Sequence, residues 1–202
     1  MNLINNKYKI IEKLGAGCFG EIYKGENIRT QEHVAIKVEP ITNNLKLLKN
    51  ESVIYQYLVG TTGVPNVKWF GKDVNNYYMV LNLLGSSLQS LLNSKKSFSL
   101  KLVLQIGLQI IFILQSIHDK GLVHRDIKPD NFLLGNNERN KKQIYIVDFG
   151  FCKSIANINN TKKTTGLIGS LTYASLNSHN YTELSYNDDL ESLGYMLSLI
   201  HI

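Results

Sequence analysis

The sequence predicts an α+β fold, in which a small antiparallel sheet with one helix precedes a mainly helical part. The first third of the chain reads as short strands that end at glycines or prolines. After Gly85 the apolar residues take a helical spacing instead. The longest helical segment is residues 99–120, in which Lys101, Gln105 and Gln109 lie four apart on one face. This change of pattern favours two lobes of different architecture.

Composition and charge narrow the class of protein. The chain has 202 residues, of which 44% are hydrophobic, so it can bury a core and is not wholly disordered. Its 2 cysteines exclude a disulfide framework and suit a reducing compartment. The polar start has no apolar signal segment, and the polar residues of segment 99–120 argue against a membrane span. We therefore expect a cytoplasmic or nuclear protein, and the net charge of +6 permits acidic ligands such as phosphates.

The elements before Gly85 follow from local patterns. Glycines end the first strand, Pro40 ends the third, and the segment 61–65 breaks the helix, which has near-helical apolar spacing. The expected strands are Tyr8–Leu14, Glu21–Lys24, His33–Val38, Val67–Phe70 and Tyr77–Leu81, and the expected helix is Leu45–Leu58.

The elements after Gly85 are mostly helical. We expect a short helix at 87–92 and a long one at 99–120, with Ser99 as its N-cap and Gly121 as its C′ glycine. The short apolar pieces 132–134 and 144–147 predict a hairpin. Residues 153–187 read as a polar loop, and a last helix is expected from Asp189.

A glycine cluster lies between the first two predicted strands. Gly15, Gly17 and Gly20 would let the backbone approach a phosphate closely and point its N–H groups at it. Alone the cluster is equally typical of a tight turn. A strand follows it, whereas a dinucleotide-binding fold requires a helix there. Cys18 at its tip is either a reactive thiol or a neutral small residue, and the lack of a neighbouring cation favours the second interpretation.

Lys37 ends the apolar run Val34-Ala-Ile-Lys37 in the third predicted strand. A buried lysine requires a partner, and Glu51 is the best-placed acid on the following helix. The alternative is a surface lysine on an edge strand.

The segment His124-Arg-Asp-Ile-Lys-Pro-Asp-Asn131 carries three chemically useful groups in one short loop. Asp126 can accept the proton of an attacking hydroxyl, Lys128 can neutralise charge on a phosphoryl group, and Asn131 can hold a metal ion. The alternative, a polar turn after a helix, does not explain these residue types at this spacing. Further along, Asp148-Phe-Gly follows an apolar strand, where an aspartate can bind Mg²⁺.

With these motifs in this order, the sequence resembles the eukaryotic protein kinases and, among them, the casein kinase 1 family. The family resemblance covers the chain from about Tyr8 to its end. The segments that carry it are Leu83–Leu88, His124–Leu133, Tyr173–Asn177 and Asp188–Tyr195. It implies a two-lobed protein kinase-like fold, with an N-lobe over residues 1–81 and a mainly helical C-lobe over residues 82–202.

The resemblance implies Mg²⁺-dependent transfer of phosphate from ATP to protein Ser or Thr. It makes Asp126 the catalytic base and Lys128 a phosphate contact, with Asn131 and Asp148 as the Mg²⁺ ligands. Asp189 would brace the catalytic loop. The residues that it assigns to ATP are Gly15, Gly17, Gly20, Ile22, Ala35, Lys37, Glu51, Leu81, Leu84 and Leu133.

Two departures from the family pattern qualify these expectations. Thr172 and the pair Tyr186-Asn187 stand where the family has arginines, so the sites that bind an acidic or phosphorylated substrate residue are reduced. We also expect an incomplete C-lobe that leaves the apolar residues of the last helix unburied, namely Leu193, Tyr195, Met196, Leu197, Leu199 and Ile200. The alternative function is a catalytically impaired module that binds a nucleotide or a partner. The expected partners of an active enzyme are proteins with Ser or Thr in an acidic context, bound by a monomer without nucleic-acid or membrane contacts.

Overall fold

The computed structural model describes residues 3–17, 20–41, 47–157 and 164–201. Cys18 lies outside the described residues. The chain divides into two compact units, of which the first comprises Met1–Val59 with Pro65–Leu84 and the second comprises Gly60–Val64 with Gly85–Ile202. The functional boundary expected after residue 81 stays a prediction.

A sheet of 5 strands and one helix form the first unit. The elements are β1 (Tyr8–Gly17), β2 (Gly20–Asn27), β3 (His33–Pro40), α1 (Leu47–Tyr57), β4 (Val67–Lys72) and β5 (Asn76–Asn82). The strands lie in the order β1-β2-β3-β5-β4, and all neighbours are antiparallel. The predicted antiparallel sheet with one helix is confirmed.

The two faces of this sheet have different partners. Because side chains alternate along a strand, Val34 and Ile36 share one face of β3, where they form a buried cluster with Val80 and Tyr8. Lys37 lies on the opposite face, toward which α1 packs through contacts with β3, β4 and β5. One face is therefore apolar core, and the other carries a charged group.

The second unit is mainly helical. Its elements are α2 (Leu88–Lys95), α3 (Leu100–His118), β6 (Leu122–Val123), β7 (Phe132–Leu134), β8 (Ile144–Ile146), β9 (Lys153–Ser154), α4 (Leu176–His179) and α5 (Tyr186–His201). The expected hairpin is present as the antiparallel pair β7-β8, and Ser99 caps α3 by accepting a hydrogen bond from the Leu102 backbone N–H. The structure thus confirms the predicted hairpin and the predicted N-cap of α3.

Three local predictions were wrong in this unit. The segment 153–187 was expected to be loop, but it contains the strand β9, which pairs with β6, and the short helix α4. Helix α5 begins at Tyr186 and not at Asp189. The Asp188 carboxylate accepts hydrogen bonds from the backbone N–H and the hydroxyl of Ser185, and this contact stabilises a helix N-terminus before Asp188. Gly121, with φ +76°, lies two residues after the α3 cap at Asp119.

Helix α3 supplies much of the core of the second unit. Ile110, Leu114 and Ile117 are fully buried on one face, which contacts α5, β6 and β8. By length and composition alone α3 could cross a membrane, and the core helix of a folded domain meets the same criteria. Its opposite face exposes Leu104 and Phe112, so the polar face expected from the sequence also carries apolar side chains.

The apolar residues of α5 are better covered than the sequence suggested. Leu193, Met196 and Ile200 are buried, with at most 3% of their surface exposed. Contacts between α3 and α5 provide this cover, and the Ile200 carbonyl accepts a hydrogen bond from the Phe98 backbone N–H. The expectation that the apolar residues of this helix remain unburied was wrong for these three side chains. It is confirmed for Tyr195 and Leu199, which are 39% and 47% exposed, and Leu197 is half-buried.

Candidate active site

An ion pair lies on the α1 side of the first unit. The Lys37 Nζ atom is 2.7 Å from Glu51 Oε2, and both residues are buried, with exposed fractions of 7% and 2%. Strand β3 places the lysine, and the second turn of α1 places the glutamate. The alternative of a surface lysine on an edge strand is excluded, because β3 lies between β2 and β5.

Apolar side chains surround the lysine on the same face of the sheet. Ile22 pairs with Lys37 across β2 and β3, and Ala35 pairs with Leu81 across β3 and β5. Cross-strand partners project to the same face, so the register brings these four side chains together. Leu84 follows β5 in the same unit, whereas Leu133 lies in the second unit on β7, where it pairs with Tyr145.

The glycines at the end of β1 and at the start of β2 differ in their surroundings. Gly20 has φ +127°, and a Cβ atom there would lie 2.0 Å from the carbonyl oxygen of Val38, so packing alone requires glycine. A Cβ atom at Gly15 or Gly17 would meet no other described residue within 4 Å. Packing within the protein therefore explains Gly20, whereas packing among the described residues does not require glycine at positions 15 and 17.

Asp126 is the centre of a polar cluster in the second unit. It is 2% exposed, and its Oδ2 atom is 2.7 Å from Lys128 Nζ. The Asn131 side-chain amide donates to the Asp126 carbonyl at 2.8 Å and to its Oδ2 at 3.1 Å. The Ser170 hydroxyl donates to Oδ1 at 2.9 Å. The loop thus holds one carboxylate in a fixed orientation with an amine and an amide beside it.

Asn131 and Asp148 are linked through the backbone. The Val147 N–H, directly before Asp148, donates to the Asn131 carbonyl at 2.9 Å. Asp148 has φ +67°, in the left-handed region that an aspartate seldom adopts. Among the described residues no group of three or more His, Cys, Asp and Glu could hold a metal ion. An amide and one carboxylate still suit Mg²⁺, which completes its shell with water and substrate phosphates.

Asp189 supports the loop from α5. It is 1% exposed and accepts hydrogen bonds from the backbone N–H groups of His124 and Arg125, each at 2.8 Å. Its Oδ2 atom is also 2.8 Å from Nε2 of His118, whose ring stacks on Tyr186. The buried carboxylate therefore fixes the backbone immediately before Asp126.

His124 joins the loop to the segment after β8. Its Nδ1 atom accepts a hydrogen bond from the Asp126 backbone N–H at 3.3 Å, and its Nε2 atom lies 3.2 Å from the Val147 carbonyl. This geometry assigns the ring proton to Nε2. The ring packs edge-on against Phe149 at 5.1 Å.

Arg125 and Lys153 share one carboxylate. Glu183 Oε1 is 2.7 Å from Lys153 Nζ, and Glu183 Oε2 is 3.9 Å from an Arg125 guanidinium nitrogen. The Arg125 Nε–H also donates to the Phe151 carbonyl at 2.6 Å. Burial lowers the pKa of Arg125 below its ordinary value, with the nearby Glu183 opposing that shift. Glu183 therefore connects the stretch before α5 to the loop and to β9.

The sequence missed several of these contacts. Glu39, Ser170 and Glu183 belong to no motif. Ser170 and Glu183 contact residues 44 and 30 positions away, and Glu39 contacts the backbone of Leu48, nine positions on. An acid at the end of a strand that precedes a helix was the one available signal, at Glu39. The roles predicted for the motif residues stay predictions, although the structure brings them together within each unit as described.

One protein-family comparison bears on this geometry. The family model described as "Protein kinase domain" matches residues 8–201, which is nearly the whole chain.

Proposed function

Since the chain belongs to the protein kinase domain family, we propose that it is a serine/threonine kinase of the casein kinase 1 type. The kinase assignment follows from the family. The finer assignment is supported by the segments Leu83–Leu88, Tyr173–Asn177 and Asp188–Tyr195, which resemble that family. The contacts of Asp188 with Ser175 and Ser185 give two of these segments a structural role.

The main support for the proposal is the set of contacts that the Asp126 carboxylate makes. Its Oδ1 atom already accepts a hydrogen bond from an aliphatic hydroxyl, that of Ser170. The hydroxyl of a substrate serine or threonine would bind the same way, and Asp126 would accept its proton as the oxygen attacks phosphorus. Lys128, with 23% of its side chain exposed, would neutralise charge on the phosphoryl group.

The residues of the first unit fit ATP. Lys37 would contact the nucleotide phosphates while Glu51 holds it, and Gly15 and Gly17 would leave room for a phosphate against the backbone. Ile22, Ala35 and Leu81 would supply apolar surface for adenine, and Leu84 follows β5 in the same unit.

Protein kinase domains in general use Mg²⁺, and Asn131 with Asp148 would hold it here. Mg²⁺ held there would supply positive charge that neutralises the phosphates. Asp126 and Lys128 would act on the acceptor side of the same reaction.

We propose that the substrates carry Ser or Thr in an acidic context. The net charge of +6 supports this, and all lysines and arginines precede Thr164. The four acids after that residue, Glu183, Asp188, Asp189 and Glu191, are each engaged in internal hydrogen bonds or ion pairs. Basic residues earlier in the chain would therefore be the partners for substrate carboxylates.

Transfer of labelled phosphate from Mg·ATP tests the proposal. Three peptides of one acidic sequence should differ only in the acceptor, which is Ser, Thr or Tyr, and a fourth should be the Ser peptide with neutral flanks. We expect label on Ser and Thr but not on Tyr, and less on the neutral peptide. Asp126→Asn should reduce the rate by about 10²- to 10⁴-fold, because a general base is lost while the side chain keeps its size.

Nucleotide binding provides the control. A thermal-shift measurement with Mg·ATP should show stabilisation of both wild type and Asp126→Asn. Equal phosphate transfer by the two proteins would contradict the catalytic role of Asp126. Stabilisation by ATP without transfer to any peptide would favour the nucleotide-binding module instead.

A further inference from the structure

Glu39 contacts the N-terminus of α1 from the end of β3. Its Oε2 atom accepts a hydrogen bond from the Leu48 backbone N–H at 2.8 Å, and its Oε1 atom accepts one from the Leu47 backbone N–H at 3.2 Å. The residue is 1% exposed. The first turn of α1 has no acidic residue of its own, so Glu39 supplies the negative charge that a helix N-terminus favours.

Glu39 and Lys37 make matching contacts with one helix. They lie two residues apart on β3 and therefore on the same face, about 6.7 Å apart along the strand. Glu51 lies four residues after Leu47, which is about 6 Å along a helix axis. Strand β3 thus contacts α1 at two points with nearly equal spacing, through the helix amides and through the Glu51 side chain.

We propose that Glu39 is a positioning residue that holds α1 so that Glu51 stays paired with Lys37. The proposal rests on the proposed function only in the use of Lys37 for nucleotide phosphates. A carboxylate bound to two backbone amides is a charge-assisted contact that resists displacement of the helix from the strand. The Lys37–Glu51 pair is then held within the first unit by Glu39.

A double-mutant cycle on nucleotide affinity tests this role. Calorimetric titration with Mg·AMP-PNP compares wild type, Glu39→Gln, Glu51→Gln and the double variant. Glutamine keeps the volume of Glu39 and loses its charge and one acceptor. We expect Glu39→Gln to weaken binding about tenfold in the wild type and less than about twofold in the Glu51→Gln background. Equal weakening in both backgrounds would overturn the proposal, because it would show that Glu39 acts independently of Glu51.

Chemical labelling of Lys37 provides a readout that needs no nucleotide. In competitive acetylation followed by mass spectrometry, Lys37 should be protected in wild type and at least fivefold more reactive in Glu39→Gln. Glu12→Gln, which removes an exposed partner of Lys24 in the same sheet, is the matched control and should leave Lys37 protected. Unchanged labelling of Lys37 in Glu39→Gln would overturn the proposal.

The two measurements separate this inference from the proposed function. If AMP-PNP does not bind wild type, the nucleotide assignment fails, and the labelling result still decides whether Glu39 positions the pair. Should Glu39→Gln fail to fold, Glu39→Asp keeps the charge on a shorter side chain and is expected to shift both readouts in the same direction by a smaller amount. No shift in that variant would count against the role of Glu39.

Discussion

Buried carboxylates determine where the functional groups of this protein lie. Glu39, Glu51, Asp126 and Asp189 are each at most 2% exposed. A buried charge is strongly unfavourable unless donors surround it, so each of these carboxylates is tied to backbone amides, an amine or a hydroxyl. A buried carboxylate that is bound to several donors has few alternative orientations. The sequence predicted the Lys37–Glu51 pair, whereas the contacts of Glu39 with α1 and of Ser170 with Asp126 depend on segments that come together only in the fold.

Burial raises the pKa of the Cys152 thiol from 9.0 to about 12, so this thiol should react slowly in the folded protein. In a Cys18→Ser variant Cys152 is the remaining thiol. At pH 8 it should react with iodoacetamide about 1000-fold more slowly in the folded protein than in urea, since the thiolate is the reactive form. Equal rates in the two states would contradict this.

The same shift has a consequence for stability. The folded thiol stays protonated while the unfolded thiol ionises above its ordinary pKa near 9. The contribution of Cys152 to the free energy of unfolding is therefore complete below pH 9 and declines as the pH rises toward 12.

Among the elements, those with a strong local pattern could be predicted from the sequence. The strands of the first unit and helix α3 follow from apolar periodicity and from glycine, proline and serine signals. The short elements β9 and α4 could not, because two or four residues carry too little pattern and β9 exists through its pairing with β6. The site residues divide in the same way. Motifs identified Lys37 and Asp126 from the sequence, whereas Glu183 has no local signature and is identified only by its contacts.

Glu183 links the stretch before α5 to Arg125 and to Lys153 on β9. Glu183→Gln should lower the free energy of unfolding by about 1–3 kcal/mol, because Arg125 and Lys153 lose their shared carboxylate. The expected loss is smaller than for a fully buried pair, since 27% of the Lys153 side chain is exposed. Urea denaturation measures it.

A surface ion pair supplies the control. Glu138→Gln breaks the pair with Lys141, in which the Glu138 side chain is 88% exposed, and should change stability by less than about 1 kcal/mol. If both substitutions had the same effect, the linking role of Glu183 would be refuted.

Each of the two units buries apolar side chains of its own. Val34, Ile36, Val80 and Tyr8 pack on the sheet of the first unit. The core of the second unit is built around α3, with Ile110, Leu114 and Ile117 fully buried. The change in sequence pattern after Gly85 anticipated this division, but the sequence did not indicate that the segment Gly60–Val64 belongs to the second unit. A backbone hydrogen bond from Ile146 to the Gly63 carbonyl places it there.

Substitutions in each core should therefore act mainly on their own unit. Ile36→Ala and Ile117→Ala each remove a fully buried side chain and should destabilise the surrounding core by about 2–5 kcal/mol. Hydrogen exchange followed by mass spectrometry should show faster exchange in β2, β3 and β5 for Ile36→Ala, and in α3 and β6 for Ile117→Ala. The milder Ile→Val substitutions should give the same patterns at about 0.5–1.5 kcal/mol, which tests whether the effect scales with the atoms removed. Uniform acceleration across both units in either variant would show that the two cores unfold as one cooperative structure, and the division into two cores would then have no energetic meaning.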